Sequence, residues 1–266
     1  MSSIRYEEDV DIGRLILNRP HAKNAFDGPM MDELRAAVEA LEPREDLRAL
    51  IITGAGSESF CAGGDLKWLQ RLNRPEKGQA MGRRMQETID RISCLPMPVI
   101  GLINGYAIGG GAELALACDF RVMETHAFLH FKQVQVGLLT GWGGGPRLLR
   151  ILGYARAIET LMVCPKISAQ RAQEMGLCNR LAETGRGLES TLALVKQLRR
   201  ASPAALRAVK TLLKKCDGQD QAYGMDVENE LFGTVWDGEH HREAQAAFLE
   251  KRFPDFKNPS PAKTKE

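Results

Sequence analysis

Two stretches of this chain share one layout, and that layout constrains the fold more than any other feature. Residues 50–69 read LIITGAGSESFCAGGDLKWL and residues 99–117 read VIGLINGYAIGGGAELALA. Each passes from an apolar run through a glycine-rich turn into a helical pattern. Short, continuously apolar, Ile-rich runs suit strands buried on both faces, and such strands belong to parallel sheets covered by helices. GRLILNRP adds a strand that Pro20 ends, and PMMDELRAAVEALE carries apolar residues at helical spacing with Pro29 in the first turn. AELALACDFRVM reads as a helix and then a strand. Strands alternating with helices mean an α/β fold.

The pattern changes near residue 200. SPAALRAVKTLLKKC, QAYGMDVENELFGTVW and EHHREAQAAFLEKRF read as three helices with no strand between them, and Ser202 before Pro203 is a helix-start signal. The expected organisation is an α/β core over residues 1–198 and a helical region over 199–266, with the tail FKNPSPAKTKE loose.

The glycine turns point to chemistry. Glycine allows unusual backbone angles and close approach of another group, and the first N–H groups of a helix have no partner within it. Two such turns facing each other could aim two N–H donors at one oxygen, an oxyanion hole for charge developing on a carbonyl. Glu113 stands directly behind the glycine triplet, among Ala112, Leu114, Ala115 and Leu116. A carboxylate in a first helical turn is also favoured by the helix dipole, and a glycine triplet also fits tight helix packing.

Composition and absent motifs narrow the alternatives. The formal net charge of the 266 residues is +2, so binding to a polyanion is not the default. There is no P-loop, no GxSxG and no HExxH, and GAGSES lacks the third glycine of a dinucleotide loop. The five histidines have no metal-ligand spacing, so no metal is expected. Six cysteines without a CxxC pair read as reduced thiols, Cys118 and Cys164 in apolar surroundings. The acidic start is unlike a signal peptide, and no run approaches the roughly 18 apolar residues of a membrane span. A cytoplasmic protein without membrane or nucleic-acid partners is expected. Arg199, Arg200, Arg207, Lys210, Lys214 and Lys215 read as a solvated helix face, with RNA binding or non-catalytic acyl-CoA binding as the reading of another class.

FCAGGDL and NGYAIGGGAEL together closely resemble the crotonase superfamily, also called the enoyl-CoA hydratase/isomerase family. The resemblance runs nearly end to end, through LNRPHAKNAF, GWGGGPRLLRILG and FLEKRFPDFKN. It implies a spiral of strand–strand–helix units forming two near-perpendicular sheets, with a C-terminal helical region that builds trimers or hexamers. It implies an acyl-CoA thioester as substrate, an enolate intermediate, and no cofactor besides the coenzyme A of the substrate. By motif match, the N–H groups of Ala62 and Gly110 hold the thioester oxygen, and Glu113 is the general acid or base. His21, Ala22 and Lys23 match the turn along the pantetheine and phosphates, Asp65 and Leu66 the positions whose backbone meets the adenine, and Phe248 and Lys251 a C-terminal pair lent by a neighbouring subunit.

The chain departs from the two-acid hydratase pattern. Counting from Phe131, the place of the second acid is taken by Gln135, and no Asp or Glu occurs from Phe131 to Ala157. A glutamine can hold a water but accepts no proton at neutral pH. GGGAELALACDFRVM, VGLLTGWGGGPRLL and ENELFGTVWDG are similar to the ethylmalonyl-CoA/methylmalonyl-CoA decarboxylase branch, and decarboxylation needs only one proton donor once CO₂ has left. That branch has a Glu at the place of Gln135. The expectation is therefore an acyl-CoA lyase, decarboxylation of a short branched malonyl-type thioester slightly ahead of enoyl-CoA hydration or isomerisation. Thioester hydrolysis stays open. Trp142 and Trp68 are read either as walls of the acyl pocket or as packing.

Overall fold

The computed structural model describes residues 2–257, and the chain divides into two compact units, Met1–Ala193 and Leu194–Glu266. The first unit runs through β1 (Ile4–Asp9), β2 (Ile12–Leu17), α1 (Gly28–Leu41), β3 (Ala49–Gly54), β4 (Ser59–Cys61), α2 (Leu66–Leu69), α3 (Pro75–Cys94), β5 (Val99–Ile103), β6 (Tyr106–Ile108) and α4 (Gly110–Ala115). It continues with β7 (Phe120–Glu124), β8 (Phe128–His130), α5 (Gly144–Val163), β9 (Ile167–Ser168), α6 (Ala169–Glu174), β10 (Arg180–Ala182) and the start of α7 (Gly187–Leu198). The strands form two sheets, ordered β1-β2-β3-β5-β7-β10 and β4-β6-β8-β9, and from β3 to β8 successive strands alternate between them. The strand–strand–helix unit implied by the resemblance is thus the repeating element. Its first sheet is parallel from β2 to β10 and closed by an antiparallel β1 at one edge.

The apolar runs fold as their composition dictates. β5 is buried along its whole length and β3 nearly so, as parallel strands covered on both faces must be. The charged β1, IRYEED, carries no such signal and exists because β2 offers it a pairing edge. The layout of strand, glycine turn and helix acquires one addition, a three-residue strand (β4 or β6) before each helix. Those short strands cross the ends of β3 and β5 at very close range. A Cβ on Gly54 would stand 2.4 Å from the Ser59 carbonyl oxygen and one on Gly105 2.3 Å from that of Glu58, so neither position accepts a side chain. The buried Asn104 ties the two turns together. Its Oδ1 accepts from the Gly54 N–H at 3.0 Å, and its Nδ2 donates to the carbonyls of Gly54 at 2.8 Å and Gly56 at 2.6 Å.

Around the sheets, α1 is capped by Asp27, whose side chain accepts from the Met30 N–H, and it buries Met30, Met31, Leu34, Val38 and Leu41 against the core. α5 is broken at Gly153, whose φ of 70° no helix can carry. The second unit holds α8 (Pro203–Lys215), α9 (Gln221–Trp236) and α10 (Glu239–Leu249). Ser202 caps α8 by accepting from the Ala205 N–H, as its place before Pro203 predicts. The segment following α10 is anchored by Glu243, which is 1% exposed and pairs with Arg252. Residues 258–266, most of the tail expected to be loose, lie outside the described residues. No helix among the described residues is long and apolar enough to cross a membrane.

Candidate active site

The two glycine turns meet, as their shared layout suggests. Gly63, at φ 88°, packs so closely on the second turn that a Cβ there would lie 2.9 Å from the Ile108 carbonyl and 3.0 Å from the Gly110 nitrogen. Each glycine of the triplet has its own reason. Gly109 caps α4 with a positive φ (55°) and a ψ of −120°, and it donates its N–H to the His130 carbonyl at 2.9 Å. Gly110 lies under the Trp142 ring, which a Cβ would reach at 2.4 Å. Gly111 lies on the β4 backbone, where a Cβ would stand 2.1 Å from the Cys61 carbonyl oxygen. The triplet thus seats α4 against β4 and Trp142.

That seat fixes Glu113. The residue is 1% exposed, yet its carboxylate is saturated with donors. Oε2 accepts the backbone N–H groups of Trp142 at 2.8 Å and Gly144 at 2.7 Å. Oε1 accepts the Gln133 side-chain amide at 2.9 Å and, more weakly, the Gly141 N–H at 3.3 Å. The turn that supplies these donors is itself held from behind. Gln86 on α3 donates to the Gly141 carbonyl at 3.0 Å, and Arg147 on α5 donates to the carbonyls of Gly143 at 3.1 Å and Trp142 at 3.4 Å. Arg147 in turn pairs with Asp90 at 3.3 Å. Burial pushes the Glu113 pKa up, and the four donors pull against it without cancelling it. The outcome is a buried carboxyl above the ordinary carboxylate range.

Two assignments change. The Ala62 N–H is taken by the Lys23 carbonyl at 3.0 Å, which leaves it nothing to offer a substrate oxygen. Two residues on, no described residue accepts from the Gly64 N–H, because the bridge between Gly64 and Phe26 uses the Gly63 carbonyl and the Asp65 N–H instead. Gly110, at the first position of α4, likewise has an N–H with no partner inside the helix. The open donors flanking the meeting of the turns are thus Gly64 and Gly110. The second change concerns Gln135. After β8 the chain tightens into a 3-10 turn over Gln133–Val136, closed by Gly137 at φ 74°. This leaves Gln135 exposed, and the amide that reaches Glu113 is Gln133, two residues earlier.

The remaining residues fall into two groups. Trp142 is 4% exposed and meets Phe26 edge-on, with ring centroids 5.6 Å apart, so it packs in the core while its backbone holds Glu113. Trp68 packs beside Gly28. His21 and Ala22 lie in a 3-10 turn, and Lys23 follows it at φ 57°. The Lys23 carbonyl accepts from Ala62 and from the Ser59 hydroxyl, and its ammonium pairs with Glu58, which holds its pKa above the usual value. Asp65 caps α2 and pairs with Arg19 at 3.2 Å, while Leu66 beside it is 70% exposed. Residues 21–23 and 62–66 therefore form one strip in the first unit. Phe248, 83% exposed, and Lys251 belong to the second unit. Sequence reading misses Gly64, Gln133, Gln86 and Arg147. The only available signals were the second glycine of FCAGGDL and the glutamine two places before Gln135.

Residues 7–259 match the sequence profile of the enoyl-CoA hydratase/isomerase family. An ethylmalonyl-CoA decarboxylase of Xenopus laevis is 36% identical over 235 residues, 87% of this chain and 78% of that protein. A short-chain-enoyl-CoA hydratase of Clostridium acetobutylicum is 29% identical over 97% of this chain and 99% of its own. The crystal structure of an enoyl-CoA hydratase from Bacillus anthracis superposes with a TM-score of 0.92 at 31% identity, covering 96% of this chain and 99% of that one.

Proposed function

The chain belongs to the enoyl-CoA hydratase/isomerase family, and from that premise we propose that it decarboxylates a short, branched malonyl-type acyl-CoA thioester. The observation that carries this reading is the buried carboxyl of Glu113 behind the glycine turns, whose side-chain partner among the described residues is an amide and not a second acid. In the proposed reaction the thioester oxygen rests on the Gly64 and Gly110 N–H groups. The bond from the α carbon to the substrate carboxylate breaks, CO₂ leaves, and the electron pair forms the enolate that these donors stabilise. Glu113 then delivers one proton to the α carbon. It has to be neutral when the substrate arrives, since two carboxylates side by side repel, and its raised pKa favours that state. The similarity to ethylmalonyl-CoA decarboxylases supports the same substrate class.

Coenzyme A is proposed to run along His21, Ala22 and Lys23 toward Asp65 and Leu66, with Phe248 and Lys251 supplied by a neighbouring copy. The exposed apolar side chains Trp236, Phe248, Leu249 and Phe253 fit such an assembly, and sedimentation is expected to give a multiple of three chains. Enoyl-CoA hydration is the second reading, favoured by the likeness to hydratases over nearly the full length. Mass-resolved turnover of ethylmalonyl-CoA and crotonyl-CoA in parallel, with Glu113→Ala as control, separates the two. Loss of CO₂ from ethylmalonyl-CoA with crotonyl-CoA untouched supports decarboxylation. Water gained on crotonyl-CoA, and lost in the variant, replaces it with hydration.

A further inference from the structure

We infer that Gln133 is an amide switch that records whether Glu113 carries a proton, and that the proton resides on Oε1. The two oxygens of Glu113 are not equivalent. Both close donors to Oε2 are backbone N–H groups, at 2.8 and 2.7 Å, fixed by the turn before α5. An N–H cannot become an acceptor, so a proton on Oε2 would face two donors. The close donor to Oε1 is the Gln133 side chain at 2.9 Å, and the Gly141 N–H stands farther away at 3.3 Å. A carboxamide has a donor at one end and an acceptor at the other, and a half-turn about its last bond exchanges them with almost no change of shape. After that half-turn the Gln133 carbonyl oxygen accepts the O–H of a neutral Glu113.

A second observation supports the switch. In the orientation that serves the ionised carboxylate, the Gln133 Oε1 is buried without a hydrogen-bond partner. Buried polar atoms are rarely left so; when the amide rotates, this oxygen takes the Glu113 O–H as its partner and the amide nitrogen moves to the place the oxygen held. The backbone need not move. The Gln133 carbonyl accepts from the N–H groups of Gly137 and, at 3.0 Å, Leu138, so the turn stays closed while the side chain rotates. A charged group that acts on the carboxyl is Arg147 on α5, which is paired with Asp90 on α3, and the side chain of Cys61 on β4 lies against Gly111, two residues before Glu113. Burial holds the Cys61 thiol neutral, with a pKa of about 12. Arg147 stays charged, so neither group exchanges the proton assigned to Glu113.

For a reaction that needs Glu113 as proton donor, the switch keeps the neutral acid hydrogen-bonded until the proton leaves for the α carbon. Gln133 then turns back to hold the new carboxylate. This consequence rests on the proposed function, but the switch itself does not. Infrared difference spectra across a pH titration, with and without isotope-labelled glutamine side chains, test it on the intact protein without substrate. The expected result is a Glu113 carboxylic C=O band, absent from Glu113→Gln, that grows with falling pH. A glutamine amide band should shift with the same midpoint and vanish from the difference spectrum in Gln133→Met. A carboxylic band that grows while every glutamine band stays still overturns the inference, whatever substrate the enzyme turns over. So does an amide shift that persists in Gln133→Met.

Discussion

Adding one methyl group at Gly111 tests how α4 is held. In Gly111→Ala the new Cβ would stand 2.1 Å from the Cys61 carbonyl oxygen. Close carbon–oxygen contacts lie near 3.3 Å, so α4 and β4 must part by about 1 Å. Both sides of the contact are backbone, so no rotamer change relieves it. Overpacking of this kind costs roughly 1–3 kcal/mol, equivalent to a fall in Tm of about 2–12 °C in a domain of this size. The same displacement moves the Gly110 N–H and Glu113 together, and a misplacement of about 1 Å in an active site costs on the order of 10²-fold in rate. Gly78→Ala is the matched control. Gly78 lies in α3 with nothing within 4 Å of its Cβ position, and alanine there should stabilise by about 0.5–1 kcal/mol with activity unchanged. Calorimetry and turnover of whichever CoA thioester the wild type consumes provide both readouts. A Gly111→Ala protein with wild-type Tm and wild-type turnover would refute the claim that the seat of α4 on β4 positions the site.

Further outcomes follow from the same geometry. Glu113→Gln should lose on the order of 10²–10⁴ in turnover yet fold, because its amide can donate to Gln133 while its oxygen accepts from Trp142 and Gly144. The folded pKa of Glu113 lies above its unfolded value. Its contribution to stability is therefore fully present below the unfolded pKa and is lost as pH rises through the folded one. Urea midpoints measured from the ordinary carboxylate range upward should fall with pH more steeply in wild type than in Glu113→Gln, and parallel curves would argue against the burial. Arg147→Met removes the donor to the Gly143 and Trp142 carbonyls and a cation near Glu113. It should move the carboxyl titration to higher pH and cost about 1–3 kcal/mol, read by infrared titration and denaturation.

The α/β class was legible because single elements follow from local periodicity, whereas the two-sheet spiral came from the family resemblance. The buried strands β3 and β5, the apolar stripe of α1 and the Ser202 cap of α8 are each written within one short stretch of chain. Glu113 and Gly110 were picked out by the likeness of FCAGGDL and NGYAIGGGAEL to the family, since a first-turn carboxylate also suits the helix dipole and a glycine triplet also suits tight packing. The rest of the site was hidden because it depends on where separate stretches meet. Nothing in FCAGGDL says that the Lys23 carbonyl will occupy the Ala62 N–H and leave that of Gly64 open. Counting from Phe131 puts Gln135 at the place of the second acid, but in the 3-10 turn there the amide that reaches Glu113 is Gln133, and Gln135 is exposed. Gln86 and Arg147 act on the carboxyl only through the carbonyls of the 141–143 turn, which lies 55 residues from Gln86 in sequence. The residues alone specify an α/β chain with an acid behind a glycine turn. Which N–H groups stay free and which amide faces the acid depend on the folded arrangement, because hydrogen-bond partners are assigned by distance in space and not by position along the chain.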